Sequence, residues 1–204
     1  PTVIACYDMP TVKAQLKLTY TIFEKGELNV KMQMTTDKNA KVSDMLRFGM
    51  VMQMPYNMDQ IRYFGRGPIE NYSDRKASER IGIYKQTADN QFFPYIRPQE
   101  NGTKQDIKWW QQTNASGTGL EIHGELGDLS MSALHYAIAD LDDGLEKGQR
   151  HSYQVKKSPF TNLCIDKEQT GVGGTNSWGE WPLERYRLHY GDRTHEFLLR
   201  PIVK

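Results

Sequence analysis

Residues 11–34 read TVKAQLKLTYTIFEKGELNVKMQM and carry the period of a β-hairpin. Apolar side chains occupy every second position on both sides of the turn at 24–26, and polar side chains stand between them. Because successive side chains of a strand point to opposite faces of its sheet, this spacing predicts one buried face and one solvated face. The apolar positions are Val12, Ala14, Leu16, Leu18 and Tyr20 before the turn and Leu28, Val30, Met32 and Met34 after it.

The same alternation recurs along the rest of the chain. It predicts strands over 46–54 and 129–135, and a C-terminal hairpin of 184–190 with 194–200 that turns at Gly191–Asp192. Shorter strands are expected at Ile61–Phe64, Arg80–Tyr84, Leu120–His123 and Phe160–Ile165. We therefore predict an all-β fold in which two antiparallel sheets pack as a sandwich.

Two further expectations concern local structure. One short helix is expected over 140–147, because its acidic residues come early and Lys147 lies near its end. Five methionines have the spacing of a strand's buried face and are expected in the core. They are Met45, Met50, Met52, Met54 and Met58.

Composition limits the class of protein. The chain has 204 residues with a mean hydropathy of −0.70, and 26 Lys and Arg against 25 Asp and Glu leave a net charge of +1. That balance argues against a broadly basic nucleic-acid binder. No apolar run approaches the ~20 residues of a membrane-spanning helix, so we expect neither a nucleic-acid nor a membrane partner.

The chain opens Pro1-Thr2-Val3 without an initiator methionine or a signal sequence. We therefore expect a single domain over residues 1–204 that is truncated at its N-terminus relative to a longer parent protein. Nothing in the sequence indicates whether that parent is cytoplasmic or periplasmic.

Several familiar motifs are incomplete. Gly65–Glu70 begins like a dinucleotide-binding fingerprint, but Pro68 stands where a helix should open. Gly171–Thr175 is rich in glycine but lacks the Lys-Ser/Thr of a phosphate-binding loop. The five histidines show no metal-ligand spacing, and no Gly-x-Ser-x-Gly turn is present. These patterns favour neither nucleotide binding nor a metal site.

Three loop segments combine carboxylates, amides and aromatic rings: 67–75, 94–102 and 173–179. This composition suits sugar recognition, in which polar groups meet hydroxyls and a ring covers the C–H surface. It also suits loops held by Arg–carboxylate and Asn–backbone bonds, such as Arg75 or Arg97 with Glu70, Asp74 or Glu100. Composition favours the structural role for the first two segments, whereas for Trp178 the two roles are equally supported.

The order and spacing of these segments resemble the C-terminal small-chain domain of family 2 glycoside hydrolases of the β-galactosidase type. The resemblance runs from about residue 60 to the C-terminus, and residues 1–59 fit the preceding strands by pattern only. The matching motifs are Gly65-x-Gly67-Pro68-x-Glu70-Asn71-Tyr72-x-Asp74-Arg75, Pro94-Tyr95-x-x-Pro98-x-Glu100-Asn101-Gly102, Trp109 or Trp110, Ser132-Ala133-Leu134-His135-Tyr136, Asp166, and Gly171-Val172-Gly173-Gly174-x-x-Ser177-Trp178-Gly179.

The resemblance implies a galactose-mutarotase-like supersandwich and a role in a β-galactosidase. In that family the catalytic glutamates lie on an upstream (β/α)₈ barrel, so no catalytic residue is expected in this chain, and Glu70, Glu100 and Glu121 are not expected to form a catalytic pair. The domain is expected to complete the barrel's substrate pocket and to contact the aglycone sugar. The parent family often uses Mg and Na, which the resemblance places elsewhere, so no cofactor is expected here.

The resemblance also implies roles for single residues. Trp178 matches the family's tryptophan at the mouth of the active-site pocket, and Ser177 and Asn176 are its neighbouring candidates for sugar contact. Thr175 stands where the family often has Asp, which puts a polar contact from that position in doubt. A structural role is expected for the remaining motif residues Glu70, Asn71, Asp74, Arg75, Glu100, Asn101, Asp166, Gly173 and Gly174.

The expected partners are the upstream domains of the same polypeptide and β-galactoside sugars. A homo-oligomer is one option for the parent's oligomeric state. Two alternatives stand beside this reading. A free-standing carbohydrate-binding module would bind sugar as this chain alone. An aldose-epimerase-like domain would need a histidine and a carboxylate as acid and base.

Overall fold

The computed structural model describes residues 1–142, 150–173, 176 and 179–203, and every structural statement below refers to these residues. The described chain forms twelve strands. They are β1 Thr2–Met9, β2 Ala14–Ile22, β3 Leu28–Thr36, β4 Arg47–Pro55, β5 Gln60–Gly67, β6 Arg80–Thr87, β7 Lys104–Ile107, β8 Trp109–Thr113, β9 Gly119–Gly124, β10 Leu129–Leu134, β11 Phe160–Gln169 and β12 Arg193–Ile202.

The strands form two antiparallel sheets. The larger sheet has the order β1-β2-β3-β12-β9-β8-β5-β6, and the smaller sheet has the order β4-β11-β10-β7. Helical structure in the described residues comprises α1 (Ala88–Gln91), α2 (Ile138–Leu141) and the 3₁₀ turns Pro10–Val12, Ser152–Gln154 and Glu184–Tyr186. The predicted all-β, two-sheet antiparallel fold is confirmed. None of the described helices is long and apolar enough to span a membrane.

The core lies between the two sheets, where alternate residues of each strand meet. From the larger sheet, Tyr63, Trp110 and Ile122 form a cross-strand row that is completely buried. Met131 and Leu163 of the smaller sheet belong to the same buried cluster. The predicted first hairpin is confirmed, because β2 pairs with β3 and brings Leu18 opposite Met32. The methionine prediction is confirmed as well, since Met54 is buried and Met45, Met50, Met52 and Met58 pack against this core.

The predicted C-terminal hairpin is wrong. β12 pairs with β3 and β9 in the middle of the larger sheet, and residues 184–186 form a 3₁₀ turn instead of a strand. The alternation of β12 fits this central place, because Phe197 and Leu199 face the core. Arg187, in the other half of the expected hairpin, instead pairs with Asp44 at 2.6 Å.

The predicted single helix over 140–147 is corrected in two respects. Its described part, α2, begins at Ile138 and ends at Leu141, while residues 143–147 lie outside the described residues. A second helical turn, α1, was not predicted. Thr87 caps it by accepting a hydrogen bond from the backbone N–H of Asn90, whose side chain in turn bonds to Thr87. Strands β1, β7 and β8 were not predicted either.

Two adjacent tryptophans on β8 provide a matched test of the sandwich. Trp110 faces the core, stacks on Tyr63 at 5.2 Å and donates through Nε1 to Gln112 at 2.9 Å, whereas Trp109 lies on the outer face under Arg62. We expect Trp110→Ala to lower the free energy of unfolding by about 3–5 kcal/mol. Trp109→Ala should cost roughly 1 kcal/mol. Urea unfolding of both variants measures the difference, and equal losses would contradict the assignment of the two faces.

Candidate functional site

One buried carboxylate joins the loop between β5 and β6 to the loop between α1 and β7. Glu70 accepts hydrogen bonds from the Arg75 guanidinium at 2.5 Å and from the backbone N–H of Gly102 at 2.7 Å. The Tyr95 hydroxyl also bonds to Glu70, and the Tyr72 hydroxyl lies 3.4 Å from it. Hydrogen bonds to an ionised acceptor are stronger than neutral ones, so this carboxylate fixes the two loops against each other. These five residues are called the Glu70 network below.

Two asparagines complete the connection between the loops. The buried side chain of Asn71 donates to the carbonyl oxygens of Arg66 and Ile69, both at 3.0 Å. Its own carbonyl accepts the backbone N–H of Gln105 at 3.0 Å. Asn101 does the same within the second loop, accepting from Phe93 N–H at 2.9 Å and donating to the Gln99 carbonyl at 2.9 Å. Both amides replace backbone hydrogen bonds that these irregular segments cannot make with a neighbouring strand.

Asp74 extends this connection to the glycine-rich segment. Its carboxylate accepts the backbone N–H groups of Val172 at 3.1 Å and Gly173 at 2.7 Å. Gly171 must be glycine here, because a Cβ atom on it would lie 2.6 Å from the carboxyl carbon of Asp74 and 3.0 Å from Cβ of Tyr186. The backbone at Val172 and Gly173, which precedes the segment that contains Trp178, is therefore held by the β5–β6 loop.

A second ion-pair group lies on the smaller sheet. Arg47 of β4 bonds to Asp166 of β11 and lies 2.7 Å from the carboxylate of Glu100. Gln169 donates to both carboxylates at 3.2 Å. Burial raises the pKa of Asp166 to about 6, although the Arg47 guanidinium stabilises its charged form. Burial is the largest single influence and would lower the pKa of Arg47, but the charges of Asp166, Cys164 and Glu100 and the hydrogen bond to Asp166 together outweigh it, and the pKa of Arg47 is raised.

Lys104 is a buried charge beside the Glu70 network. Its ammonium group donates to the Gly102 carbonyl at 2.9 Å, and the side chain is almost completely enclosed. Burial lowers the pKa of Lys104 to about 8, against the opposing effect of the Glu70 charge. Sequence reasoning missed this residue, because a lysine at the start of a polar strand has no pattern that separates it from a solvated one.

The structure brings most of the sequence-predicted residues together. Glu70 pairs with Arg75, one of the pairings that composition suggested, whereas Glu100 pairs with Arg47, which was not predicted. No local sequence pattern indicates the role of Arg47, because its partners Glu100 and Asp166 are 53 and 119 positions away in the chain. Asn176 is described and exposed, and Gly174, Thr175, Ser177 and Trp178 lie outside the described residues.

The described residues include no group of three or more His, Cys, Asp or Glu side chains that could hold a metal ion.

The profile of the family described as "Beta galactosidase small chain" matches residues 2–199 of this chain. A beta-galactosidase of Priestia megaterium is 32% identical over 191 residues, which are 93% of this chain and 18% of that protein. A beta-galactosidase of Lactobacillus delbrueckii subsp. bulgaricus is 31% identical over 169 residues, which are 83% of this chain and 16% of that protein. The chain thus spans less than a fifth of the length of these curated relatives.

A solved structure of an Escherichia coli K12 protein assigned as an aldose 1-epimerase aligns with this chain at a TM-score of 0.44 and 12% identity. That alignment covers 100% of this chain and 65% of the other.

The raised pKa of Asp166 leads to a pH-dependent stability. The folded protein binds the Asp166 proton more tightly than the unfolded chain, so this contribution is fully present below about pH 4 and is lost as the pH rises through about 6. Relative to Asp166→Asn, the wild type should therefore lose on the order of 2 kcal/mol of unfolding free energy between pH 4 and pH 7. Urea unfolding of both proteins at four pH values measures this difference.

The comparison of the wild type with Asp166→Asn removes the contribution of the other buried group that titrates in this range. Burial lowers the pKa of His195 to about 4, so His195 titrates over the same range, but it does so in both proteins and cancels in the difference. A difference that stays flat, or that moves in favour of the wild type as the pH rises, would contradict the raised pKa of Asp166.

Proposed function

Because this chain belongs to the beta galactosidase small chain family, we propose that it is the C-terminal small-chain domain of a β-galactosidase. It is one domain over residues 1–204 and is itself non-catalytic. Its parent hydrolyses terminal β-galactosides with an acid and a nucleophile that lie on an upstream (β/α)₈ barrel. The domain completes the substrate pocket of that barrel and contacts the aglycone sugar through the segment around Trp178.

The surroundings of the carboxylates support a non-catalytic role. Asp166 has the raised pKa that a general acid needs, and Glu100 lies near it because both bond to Arg47 and Gln169. However, the Asp166 side chain is only 1% exposed, so a glycosidic oxygen cannot reach its proton. Glu70 is likewise enclosed within its network. A retaining glycosidase needs two accessible carboxylates ~5 Å apart on either side of the sugar.

The observation that carries the proposed sugar contact is the pair of hydrogen bonds from Val172 and Gly173 to Asp74. Asp74 lies in the same loop as Glu70 and Asn71, which hold that loop to the rest of the domain by accepting the backbone N–H groups of Gly102 and Gln105. The backbone just before residues 174–178 is therefore tied to a rigid support. Such a support suits a loop that must present a ring at a fixed place to a sugar bound mainly by another domain.

The first test is the activity of the chain alone. We expect the purified 204-residue chain to hydrolyse a nitrophenyl β-galactoside no faster than buffer, because it lacks an accessible acid and nucleophile. Its far-UV circular dichroism, recorded on the same sample, must show a mostly β protein so that the absence of turnover is not due to unfolding. Steady turnover that disappears in Glu100→Gln would overturn the non-catalytic role.

The second test concerns Trp178 in the full-length parent enzyme. If a stacked sugar covers roughly 60 Å² of apolar ring surface, the contact contributes about 1.5 kcal/mol, which is about tenfold in affinity. An aglycone is held alike in the ground state and the transition state, so Trp178→Ala should raise KM for a disaccharide about tenfold and change kcat little. Steady-state kinetics and a melting curve of the same variant measure both effects.

Asp74→Ala is the companion variant, because it frees the backbone at Val172 and Gly173 and leaves Trp178 itself unsubstituted. It should raise KM in the same direction and by a smaller factor. Asp8→Ala is the matched control, since Asp8 lies on β1 and its exposed side chain accepts a hydrogen bond from Gln15 at 2.9 Å, and it should leave KM unchanged. An unchanged KM for Trp178→Ala, combined with a large fall in melting temperature, would show that Trp178 belongs to the core instead.

A further inference from the structure

A cavity of about 480 Å³ lies on the outer face of the smaller sheet. Its floor consists of side chains from three neighbouring strands, Gln53 of β4, Asn162 and Cys164 of β11, and Ser132 of β10. These residues alternate with Met131, Leu163 and Ile165, which face the core on the opposite side of the sheet. One wall is formed by α2, and the loop that carries Glu100 forms part of the rim. The volume lies within the usual range for small-molecule sites.

The floor is polar, and the amide nitrogen of Asn162 is its most weakly hydrogen-bonded group. Gln53 donates to the side-chain carbonyl of Asn162 at 3.0 Å. The amide nitrogen of Asn162 makes only long contacts, 3.3 Å to the Phe160 carbonyl and 3.4 Å to the Leu134 carbonyl. Both Asn162 and Ser132 are at least 95% buried. Buried amides normally have good hydrogen-bond partners, so the Asn162 amide favours a ligand that supplies one. The Ser132 hydroxyl bonds to Cys164 and keeps lone pairs that can accept from the same ligand.

The cavity carries no uncompensated charge. Burial raises the pKa of the Cys164 thiol to about 11, which keeps it neutral. Glu100, the charged residue of the rim, lies 2.7 Å from the Arg47 guanidinium and accepts from Gln169 at 3.2 Å. A charged ligand would find no free counter-ion among these described residues and would have to shed its hydration shell.

Apolar side chains complete the lining. Val51 stands next to Cys164 in the cross-strand pairing and is 54% exposed, and Leu134 and Ile138 contribute further aliphatic surface. The lining therefore combines groups that both donate and accept hydrogen bonds with patches that exclude water. A hexose has the same mixture on its own surface, because its hydroxyls alternate with C–H groups.

We propose that this cavity is a second ligand site, and that it binds a neutral polyhydroxylated molecule of hexose size through the amides of Gln53 and Asn162 and the hydroxyl of Ser132. Its described lining does not include residues 171–173. The proposal therefore rests on residues other than those proposed to contact the aglycone.

The test is an amide-detected NMR titration of the ¹⁵N-labelled chain with D-galactose, D-glucose and myo-inositol, each to about 100 mM. We expect saturable shifts at the side-chain amides of Gln53 and Asn162 and at the backbone of Ser132 with at least one of them. Ala139→Trp fills the cavity from its exposed rim and should weaken binding at least tenfold. Ala115→Trp, the same change in the exposed turn between β8 and β9, should leave the affinity unchanged.

Gln53→Leu is a second variant, which removes one donor without adding bulk, and it should weaken binding several-fold. The two variants keep the test decisive if one of them perturbs folding. The proposal is overturned if no polyol produces saturable shifts at these residues, if the shifts map to another surface, or if Ala139→Trp and Ala115→Trp bind equally well.

Discussion

The loops of this domain depend on the desolvated carboxylate of Glu70. Removing an ionised carboxylate from water costs several kcal/mol unless hydrogen bonds and a counter-ion compensate for it. Here the Arg75 guanidinium and the Gly102 N–H do so, and each comes from a segment without regular structure. The requirement to satisfy one charge therefore fixes the relative position of two loops. Asp74, four residues further on, uses that fixed loop to hold the backbone at Val172 and Gly173.

The local pattern was sufficient to predict most strands but not their pairing. The alternation in β2 and β3 is interrupted by a short turn, so neighbours in sequence are also neighbours in the sheet. The same alternation in β12 identifies a strand, but its partners, β3 and β9, are distant in sequence. Proximity along the chain favoured a hairpin of β12 with residues 184–190. The observed pairing of β12 with β3 and β9 depends on the packing of the whole sheet. β1 was not predicted because most of this edge strand is exposed, and the two residues that pack against the core, Ala5 and Met9, are too few and too far apart to give an alternating pattern.

The candidate site likewise contains some contacts that the sequence could predict and others that it could not. Carboxylates, amides and arginines that are close in sequence, as in 70–75, already indicated the bond between Glu70 and Arg75. Arg47, Glu100 and Asp166 come from three separate parts of the chain, and only the pairing of β4 with β11 brings two of them together. The cavity above these strands was equally inaccessible to sequence reasoning. Its floor is made of side chains that each look, within their own strand, like the solvated half of an alternating pattern.

The position of β12 has a consequence for how the domain is made. This strand lies at the centre of the larger sheet, between the β1-β2-β3 group and the β9-β8-β5-β6 group, yet it is synthesised after all the other strands. Until residues 193–202 have left the ribosome, the two halves of that sheet have no strand to join them, and each exposes an unpaired edge. The larger sheet therefore stays unfinished until β12 has been synthesised. A prematurely terminated chain would present two open edges for association with other chains.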